Sequence, residues 1–246
     1  MSSLHKFFVP QEQIIGNRLT LTGSDVSHIR TVLRLKAGDS IQVISDSDKW
    51  HTVRLVEVKA KEIQGEVIAS EKFDVESPLA VHLGVALTKG NKFDATLRKS
   101  VELGACSITP LTTERCVVKT HQVGIKIERW KKIALESSKQ CGRIQVPLVA
   151  DEIETLKIFC RNSDDRDLKL VFWEMEGDNS LKDLKLDRTP RSVAVLIGPE
   201  GGFSLAEIEK TREYGFQTVS LGPRILRAET APVVALALLQ SLWGDL

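Results

Sequence analysis

The sequence predicts a two-part α/β protein in which a small β-rich unit precedes a larger unit built on a parallel sheet. Short strand candidates recur through residues 6–69, and several alternate apolar and polar residues, which is the period of a half-buried sheet. Two later runs, 79–87 and 193–197, are almost continuously apolar, as in strands buried on both faces. Strands and helices alternate in this second part, which favours a parallel sheet with helical connections.

The N-terminal unit is predicted to be a compact barrel of short strands with one helix. We place its strands at residues 6–9, 18–21, 41–44, 52–58 and 63–69, with turns at 37–39 and 46–48. The helix follows residue 23, where Ser24 or Asp25 can cap it, and Val26, Ile29 and Leu33 fall on one of its faces. Short, closely spaced strands with a single helix are typical of a small barrel.

The charged segment 71–78 is predicted to link the two units, since Pro78 would interrupt a sheet. Beyond it we expect strands at 79–87, 107–111, 168–173, 193–197 and 218–222. The expected helices cover 93–104, 127–140 and 153–160, another begins at Ser204, and a strongly apolar last helix is capped by Thr230 with Pro232 in its first turn.

The composition is that of an ordinary globular protein. Hydrophobic residues make up 42% and charged residues 27% of the 246 residues, and the net charge is +1. No apolar run approaches the roughly 18 residues that span a bilayer, and residues 1–10 lack the apolar core of a signal peptide, so we expect a cytoplasmic protein without membrane contact. The four cysteines form no C-x-x-C pair and the five histidines are scattered, so we expect reduced thiols and no metal site.

Basic residues are nevertheless concentrated in two stretches. The first contains Lys89, Lys92, Arg98 and Lys99, and the second contains Arg129, Lys131, Lys132, Lys139 and Arg143. A positive helix face is most often solvated surface, so charge alone favours that interpretation. An RNA-binding role depends on the motifs that follow.

A glycine-rich stretch at 197–204, IGPEGGFS, directly follows the clearest buried strand. Ser204 and Glu207 have the spacing of a capping box, so a helix should begin at Ser204. Glycines at the carboxyl end of a strand let backbone approach a ligand, although a tight turn without a ligand has the same pattern. The stretch is neither G-x-x-x-x-G-K-[ST] nor G-x-G-x-x-G, and the chain has no G-x-S-x-G elbow, which disfavours nucleotide phosphate binding, a dinucleotide fold and an α/β-hydrolase.

A second glycine-containing loop, LGPRILRAETA at 221–231, follows the short strand 218–222. If the two strands are neighbours, the two loops form one crevice at the carboxyl edge of the sheet. Arg224, Arg227 and Glu229 would then lie at its rim, as ligand contacts or as structural ion pairs.

Both glycine loops resemble those of the uridine-N3 methyltransferases of small-subunit ribosomal RNA, a family of the SPOUT superfamily. Further resemblance runs through HIRTVLRLKAGD at 28–39, LTKGNK at 87–92, KSVELG at 99–104 and TERCVV at 113–118. The segment KQCGR at 139–143, followed by Val146 and Pro147, corresponds to one that usually has Glu-Gln-Ser-Gly-Arg, and Cys116 also stands where the family usually has Ser. The resemblance covers almost the whole chain and leaves both glycine loops intact.

The resemblance implies a PUA-like RNA-binding barrel at 1–72 and a SPOUT methyltransferase domain with a deep trefoil knot at 73–246. It also implies a homodimer, with the last helix in the interface, and S-adenosylmethionine bound in the crevice. The backbone contacts to this cofactor would come from Leu196, Ile197, Gly198, Gly202, Leu221, Gly222, Ile225 and Leu226.

The implied reaction assigns roles to charged residues. N3 of uridine carries a proton and is a poor nucleophile until that proton is lost, so an Arg near O2 or O4 would stabilise the developing negative charge. Arg227 and Arg115 are the candidates, and Glu229 would assist proton removal or orient an Arg. Phosphates of small-subunit ribosomal RNA, free or in the assembled 30S subunit, would be bound by Arg30, Arg34, Lys89, Lys92 and Arg143.

Two other functions fit the same sequence. A SPOUT methyltransferase for another nucleotide or for ribose 2′-O would share the cofactor site, so only analysis of the product distinguishes it. A catalytically silent RNA-binding protein of ribosome assembly would share the scaffold, and binding of S-adenosylmethionine would argue against it.

Overall fold

The structure, a computed structural model, describes residues 4–45, 49–72, 75–116 and 123–246. By internal packing the chain divides into two units, of which the first comprises Met1–Glu76 with Ser138–Gln145 and the second Ser77–Ser137 with Val146–Leu246. Parts of three predicted features, the turn at 46–48, the linker at 73–74 and the motif at 117–118, lie outside the described residues.

The first unit is a six-stranded sheet in the order β1-β4-β5-β6-β3-β2. Its strands are β1 (Lys6–Phe8), β2 (Ile14–Ile15), β3 (Arg18–Thr22), β4 (Ser40–Ile44), β5 (Lys49–Val58) and β6 (Glu62–Lys72). All pairs are antiparallel except β1 with β4. The alternating residues that predicted these strands point inward, and Leu21, Ile41, Val43, Val53 and Ile63 are fully buried. The β-rich first part is therefore confirmed.

The helix of this unit differs from the expected one at both ends. Gly23, with φ of +81°, occupies the cap position of α1 (Ser24–Ser27), so the predicted capping by Ser24 or Asp25 is wrong. The helix then widens into a π-turn at His28–Val32, and the N–H of Leu33 donates to the carbonyl of His28. Val26 and Ile29 are buried as predicted.

The second unit contains a parallel sheet in the order β10-β8-β7-β12-β11-β13, with β9 paired to β8. Its strands are β7 (Ala80–Ala86), β8 (Ala105–Thr112), β9 (Leu148–Val149), β10 (Glu154–Thr155), β11 (Leu168–Phe172), β12 (Ser192–Ile197) and β13 (Gln217–Val219). Its helices are α2 (Lys92–Glu102), α3 (Val123–Cys141), which ends in the first unit, α4 (Leu156–Asn162), α5 (Leu205–Glu213) and α6 (Ala231–Trp243).

Alternate residues of the central strands pack against different helices, which explains their continuous apolar runs. Val193, Val195 and Ile197 share a core with residues of α2, α3 and α6, while Ala194 and Leu196 share one with α4 and α5. The predicted α/β class of this part is therefore confirmed. The trefoil knot stays a prediction, since strand order alone does not define one.

Several predicted boundaries and one predicted cap differ from the structure. The strand β6 continues to Lys72, into the predicted linker. The helix expected at 153–160 begins only at Leu156, because Glu154–Thr155 pairs with β8 and the Thr155 hydroxyl accepts from the N–H of Ile158. Thr230 precedes the last helix but makes no side-chain cap; instead, the carbonyl of Arg227 accepts from the N–H groups of Thr230 and Ala231 at 2.8 and 2.9 Å.

Candidate cofactor and RNA site

Three neighbouring parallel strands, β12, β11 and β13, end at the same edge of the sheet. Residues 172–174, 197–202 and 220–229 follow their carboxyl ends and border a cavity of about 520 Å³. Ligands of open α/β sheets bind outside the carboxyl ends of strands, and the volume lies in the range of small-molecule sites. The crevice predicted between the two glycine loops is therefore present, and a third loop contributes to it.

The first glycine loop turns the chain from β12 into α5. The N–H of Gly202 donates to the carbonyl of Pro199 at 3.0 Å, which closes the turn. The predicted capping box is confirmed: the Ser204 hydroxyl accepts from the N–H of Glu207, and the Glu207 carboxylate accepts from the N–H of Ser204. The helix start thus holds the loop in place below the cavity.

Two positions of this loop favour glycine. A Cβ on Gly198 would lie 3.3 Å from the carbonyl carbon of Gly202 and from the Phe203 ring, closer than most side chains approach. Gly202 has φ of +66°, and a Cβ there would lie 1.8 Å from Oε1 of Glu174. The close approach of backbone that the sequence indicated is therefore built into the turn.

The second glycine loop is bonded at both ends. The N–H of Ser220 donates to the carbonyl of Asn179 at 2.8 Å, and the N–H of Gly222 donates to the Ser220 hydroxyl at 3.1 Å. Gly222 has φ of +101°, which L side chains rarely adopt. At the far end the carbonyl of Arg227 joins the loop to α6. These contacts support residues 222–227 from both sides.

The predicted cofactor residues lie together at this cavity, with one exception. Lining residues include Ile197, Gly198, Gly202, Leu221, Gly222, Ile225 and Leu226. Leu196 is not among the lining residues and its side chain is fully buried in the core beside α4 and α5, so its backbone contact stays a prediction. Ile225 is 83% exposed, an unusual state for an apolar residue at a cavity edge. Its surface is available to a ligand.

The sequence motifs missed the contribution of β11. Phe172, Trp173 and Glu174 line the cavity where this strand ends. Their position between two glycine loops follows from β11 pairing with both β12 and β13, which the sequence does not state. The available signal was Trp173 and Glu174 at the carboxyl end of the strand predicted at 168–173.

A cation joins the two glycine loops. Nζ of Lys92, in the first residue of α2, lies 3.5 Å from Oε1 of Glu200 and 3.4 Å from Oε2 of Glu229. Glu200 also accepts from the backbone N–H of Lys89 at 3.3 Å. The predicted phosphate contact of Lys92 stays a prediction, but its ammonium already has two carboxylate partners.

The surroundings of Glu229 favour its charged form. Its own backbone N–H, Lys92 and Arg227 together hold the pKa of Glu229 below its ordinary value. An effective general base has a pKa near the working pH, and this shift moves Glu229 away from it. Of the two roles predicted for Glu229, the geometry therefore favours orientation of the cations.

The two predicted catalytic arginines lie in different places. Arg227 lines the cavity beside Glu229. Arg115 is not among the lining residues; its Nη1 donates to the carbonyl of Gly201 at 2.8 Å, so it supports the first glycine loop from outside. Both catalytic roles stay predictions, and the position of Arg227 is the more favourable one.

Four predicted phosphate contacts are accessible and the fifth is not. Arg30, Arg34 and Lys89 are exposed, and Lys92 is partly exposed. Arg143 is 7% exposed, and its guanidinium donates twice to Oε2 of Glu76, at 2.7 and 3.0 Å. A buried, paired guanidinium does not reach a phosphate, so the RNA contact predicted for Arg143 is corrected to a structural ion pair.

The second basic stretch is largely neutralised within the protein. Ion pairs join Arg129 to Asp94, Lys131 to Glu128 and Asp151, Lys139 to Asp25, and Arg143 to Glu76. The interpretation as structural surface, which charge alone favoured, therefore fits this stretch better than an RNA-binding face.

Within the described ranges, no three His, Cys, Asp or Glu side chains are grouped so that they could hold a metal ion. Among the helices that the structure describes, none has the length and apolar composition needed to cross a membrane.

The chain matches known RNA methyltransferases over most of its length. Residues 75–240 match the model of an RNA methyltransferase domain, and residues 21–68 match that of an RNA methyltransferase PUA domain. The ribosomal RNA small subunit methyltransferase E of Buchnera aphidicola is 33% identical, over 98% of this chain and 96% of its own.

Solved structures agree in fold over nearly the whole length. The ribosomal RNA small subunit methyltransferase E of Neisseria gonorrhoeae, bound to S-adenosylmethionine, superposes with a TM-score of 0.86 and is 34% identical over 98% of this chain and 99% of that one. A Legionella pneumophila protein described as a methyltransferase, also with this cofactor, reaches 0.88 at 35% identity, with 99% of each chain covered. The resemblance noted in the sequence is thus confirmed, and this chain belongs to the family of the ribosomal RNA small subunit methyltransferases E, with an N-terminal PUA-like domain and a SPOUT methyltransferase domain.

Proposed function

We propose that this protein transfers the methyl group of S-adenosylmethionine to N3 of a uridine in small-subunit ribosomal RNA. Membership of the family makes it a cofactor-dependent methyltransferase of that RNA. The observation that carries the proposal is the cavity itself, because both family-like glycine loops border it and close backbone approach is built into one of them.

The lining residues fit the proposed cofactor. Ile197, Leu221 and Leu226 supply apolar surface for an adenine ring and a thioether chain, and Glu174 supplies a negative charge for a ligand that carries a positive sulfur. S-adenosylmethionine supplies a methyl group that the sulfonium has already activated. The protein therefore has to bind, orient and exclude water rather than create the electrophile.

The chain's own residues would act on the uridine. Arg227 at the cavity would donate hydrogen bonds to O2 or O4 and stabilise the charge that develops when N3 loses its proton. Glu229, held ionised, would keep Lys92 and Arg227 in position. A paired uridine would first have to leave its stack to reach the cavity.

RNA would be held by exposed cations on both units. Arg30 and Arg34 lie on the PUA-like domain, for which we propose residues 1–72, and Lys89 precedes α2 in the proposed methyltransferase domain, residues 73–246. Contacts of this type bind phosphate without reading sequence. Free rRNA and the assembled 30S subunit present the same phosphate chemistry, and both occur in the cytoplasm, where we propose that the protein acts.

We propose a homodimer in which α6 provides much of the interface. Leu238 and Leu242 on this helix are 39% and 46% exposed, and Leu246 beyond it is 64% exposed. Several exposed leucines in one helical segment form apolar surface in contact with water, and burial against a second copy would remove them from water.

The function is tested by the product and by the cofactor separately. Mass spectrometry of small-subunit rRNA from cells lacking the protein should show one uridine without its N3-methyl group; loss of a methyl at another base or at a ribose 2′-oxygen would identify the alternative methyltransferase. Calorimetry should show S-adenosylmethionine binding to the wild type and none to Gly198→Val, whose side chain would collide with Gly202 and Phe203. Failure of the wild type to bind would favour the catalytically silent alternative.

A further inference from the structure

Glu174 occupies a position that the family motifs do not explain. It follows β11, two residues beyond the end of the strand, and lines the cavity between the two glycine loops. Its neighbour in sequence, Trp173, fixes the backbone there through an N–H that donates to the carbonyl of Val219 at 3.1 Å. The carboxylate is therefore carried by a backbone segment that belongs to the sheet.

The carboxylate of Glu174 lies directly against the first glycine loop. A Cβ on Gly202 would lie 1.8 Å from Oε1, 2.6 Å from Cδ and 2.9 Å from Oε2 of Glu174. The carboxylate in this position occupies the space that a Cβ would take, so the backbone of Gly202 and the carboxylate of Glu174 share one wall of the cavity. An acceptor at this place faces the same ligand that the glycine loop would hold.

The charge of Glu174 also has no counter-ion among the described residues. Two other carboxylates line the cavity, and both Glu200 and Glu229 contact Nζ of Lys92. In the described part of the chain, no Lys, Arg or His forms an ion pair with Glu174. A carboxylate that lines a ligand cavity and has no cation of the protein as partner can accept hydrogen bonds from donors on the ligand. Such charge-assisted hydrogen bonds are stronger than those between neutral groups.

We propose that the Glu174 carboxylate accepts hydrogen bonds from N–H or O–H donors of the bound S-adenosylmethionine. Two groups on the cofactor flank the sulfur and carry such donors, the α-ammonium of the methionine part and the hydroxyls of the ribose. This inference rests on the proposed function, since it assumes that the cavity binds this cofactor. It makes Glu174 a specificity-determining residue of the third loop.

The test compares Glu174→Gln with a matched control, Asp178→Asn. Both substitutions remove one negative charge from an exposed residue of the same loop, but Asp178 does not line the cavity. Calorimetry on the full chain would measure affinity for S-adenosylmethionine, S-adenosylhomocysteine and 5′-methylthioadenosine, which keeps the ribose but lacks the amino acid part. Thermal unfolding would verify that all variants are folded.

Glu174→Gln should weaken S-adenosylmethionine binding about ten- to a hundredfold, while Asp178→Asn stays within about twofold of the wild type. If Glu174 accepts from the ammonium, 5′-methylthioadenosine binding is unchanged; if it accepts from the ribose, that ligand weakens in parallel. Equal affinity of wild type and Glu174→Gln for S-adenosylmethionine would overturn the inference and leave the proposed function intact. A wild type that binds none of the three ligands would instead overturn the proposed function.

Discussion

The cations around the cavity differ in how much of their charge the protein itself neutralises. Lys92 contacts two carboxylates, whereas Arg227 lines the cavity beside Glu229 and forms no ion pair with the described residues. The planar guanidinium of Arg227 keeps donors for a substrate and can bind two acceptor oxygens at once. This difference supports the charge-stabilising role proposed for Arg227 and favours loop support by Lys92.

Arg227→Ala should lower the single-turnover rate of methyl transfer about 10²-fold or more while RNA binding is maintained, as expected for a lost transition-state donor. Arg227→Lys keeps the charge but loses the fork, so it should restore only part of the rate. The rate is measured at saturating RNA and cofactor. A near wild-type rate for Arg227→Ala would transfer the role to Arg115, reaching in from a second subunit.

Among the described residues other than glycine, Arg34 alone has a left-handed backbone, with φ of +56°. This conformation costs about 1–2 kcal/mol for most residues, while Asn tolerates it better. Arg34→Asn should therefore raise the urea midpoint of unfolding and at the same time weaken RNA binding, with a salt dependence reduced by about one phosphate contact. Arg34→Lys keeps both the charge and the strained backbone, so its urea midpoint and its RNA affinity should stay close to those of the wild type. Unchanged RNA affinity in Arg34→Asn would exclude Arg34 from the RNA-binding face.

At the scale of elements, the start of α2 connects the two glycine loops. Lys92 is the first residue of this helix, and its ammonium lies between Glu200 of the first loop and Glu229 of the second. The loops come from different strands, β12 and β13, which are not adjacent in the sheet. A contact between them from a third element should therefore hold the cavity at one width.

Lys92→Met should weaken S-adenosylmethionine binding by about three- to tenfold, because surface-type ion pairs contribute little each and two are lost. Lys89→Met is the matched control, since Lys89 contacts Glu200 only through its backbone N–H, which the substitution keeps. We expect Lys89→Met to affect RNA affinity and Lys92→Met to affect cofactor affinity, both by calorimetry. If Lys92→Met instead weakens RNA binding and Lys89→Met weakens cofactor binding, Lys92 contacts phosphate, as the sequence analysis suggested.

Elements with strong local signals were predicted well, and those that depend on distant partners were not. The capping box of Ser204 and Glu207 is a local pattern and is present as expected. The start of α4 is displaced because Glu154 and Thr155 join β8, and the last helix is capped by a backbone carbonyl rather than by Thr230. Strand pairing and capping by a backbone carbonyl use main-chain groups that every residue type carries, so residue type alone does not locate such helix boundaries.

At the scale of the whole molecule, the apolar surface of α6 is the feature that a single chain does not explain. Leu242→Glu should convert a dimer into a monomer, since a charge in an apolar interface is costly to bury. Analytical ultracentrifugation would measure the mass, and Leu205→Glu, on a leucine that is 67% exposed on α5, is the control that should leave it unchanged. A wild type that sediments as a monomer would contradict the proposed dimer.

The sequence by itself determined the class of each half, the capping box at Ser204 and both glycine loops, because these depend on residues close in the chain. It also carried enough of the family's motifs to indicate the cofactor. Tertiary structure alone decided that β11 lies between β12 and β13, which brings Glu174 to the cavity, and that Glu76 buries Arg143. Strand order and long-range ion pairs are set by the packing of segments far apart in sequence, so no local pattern records them.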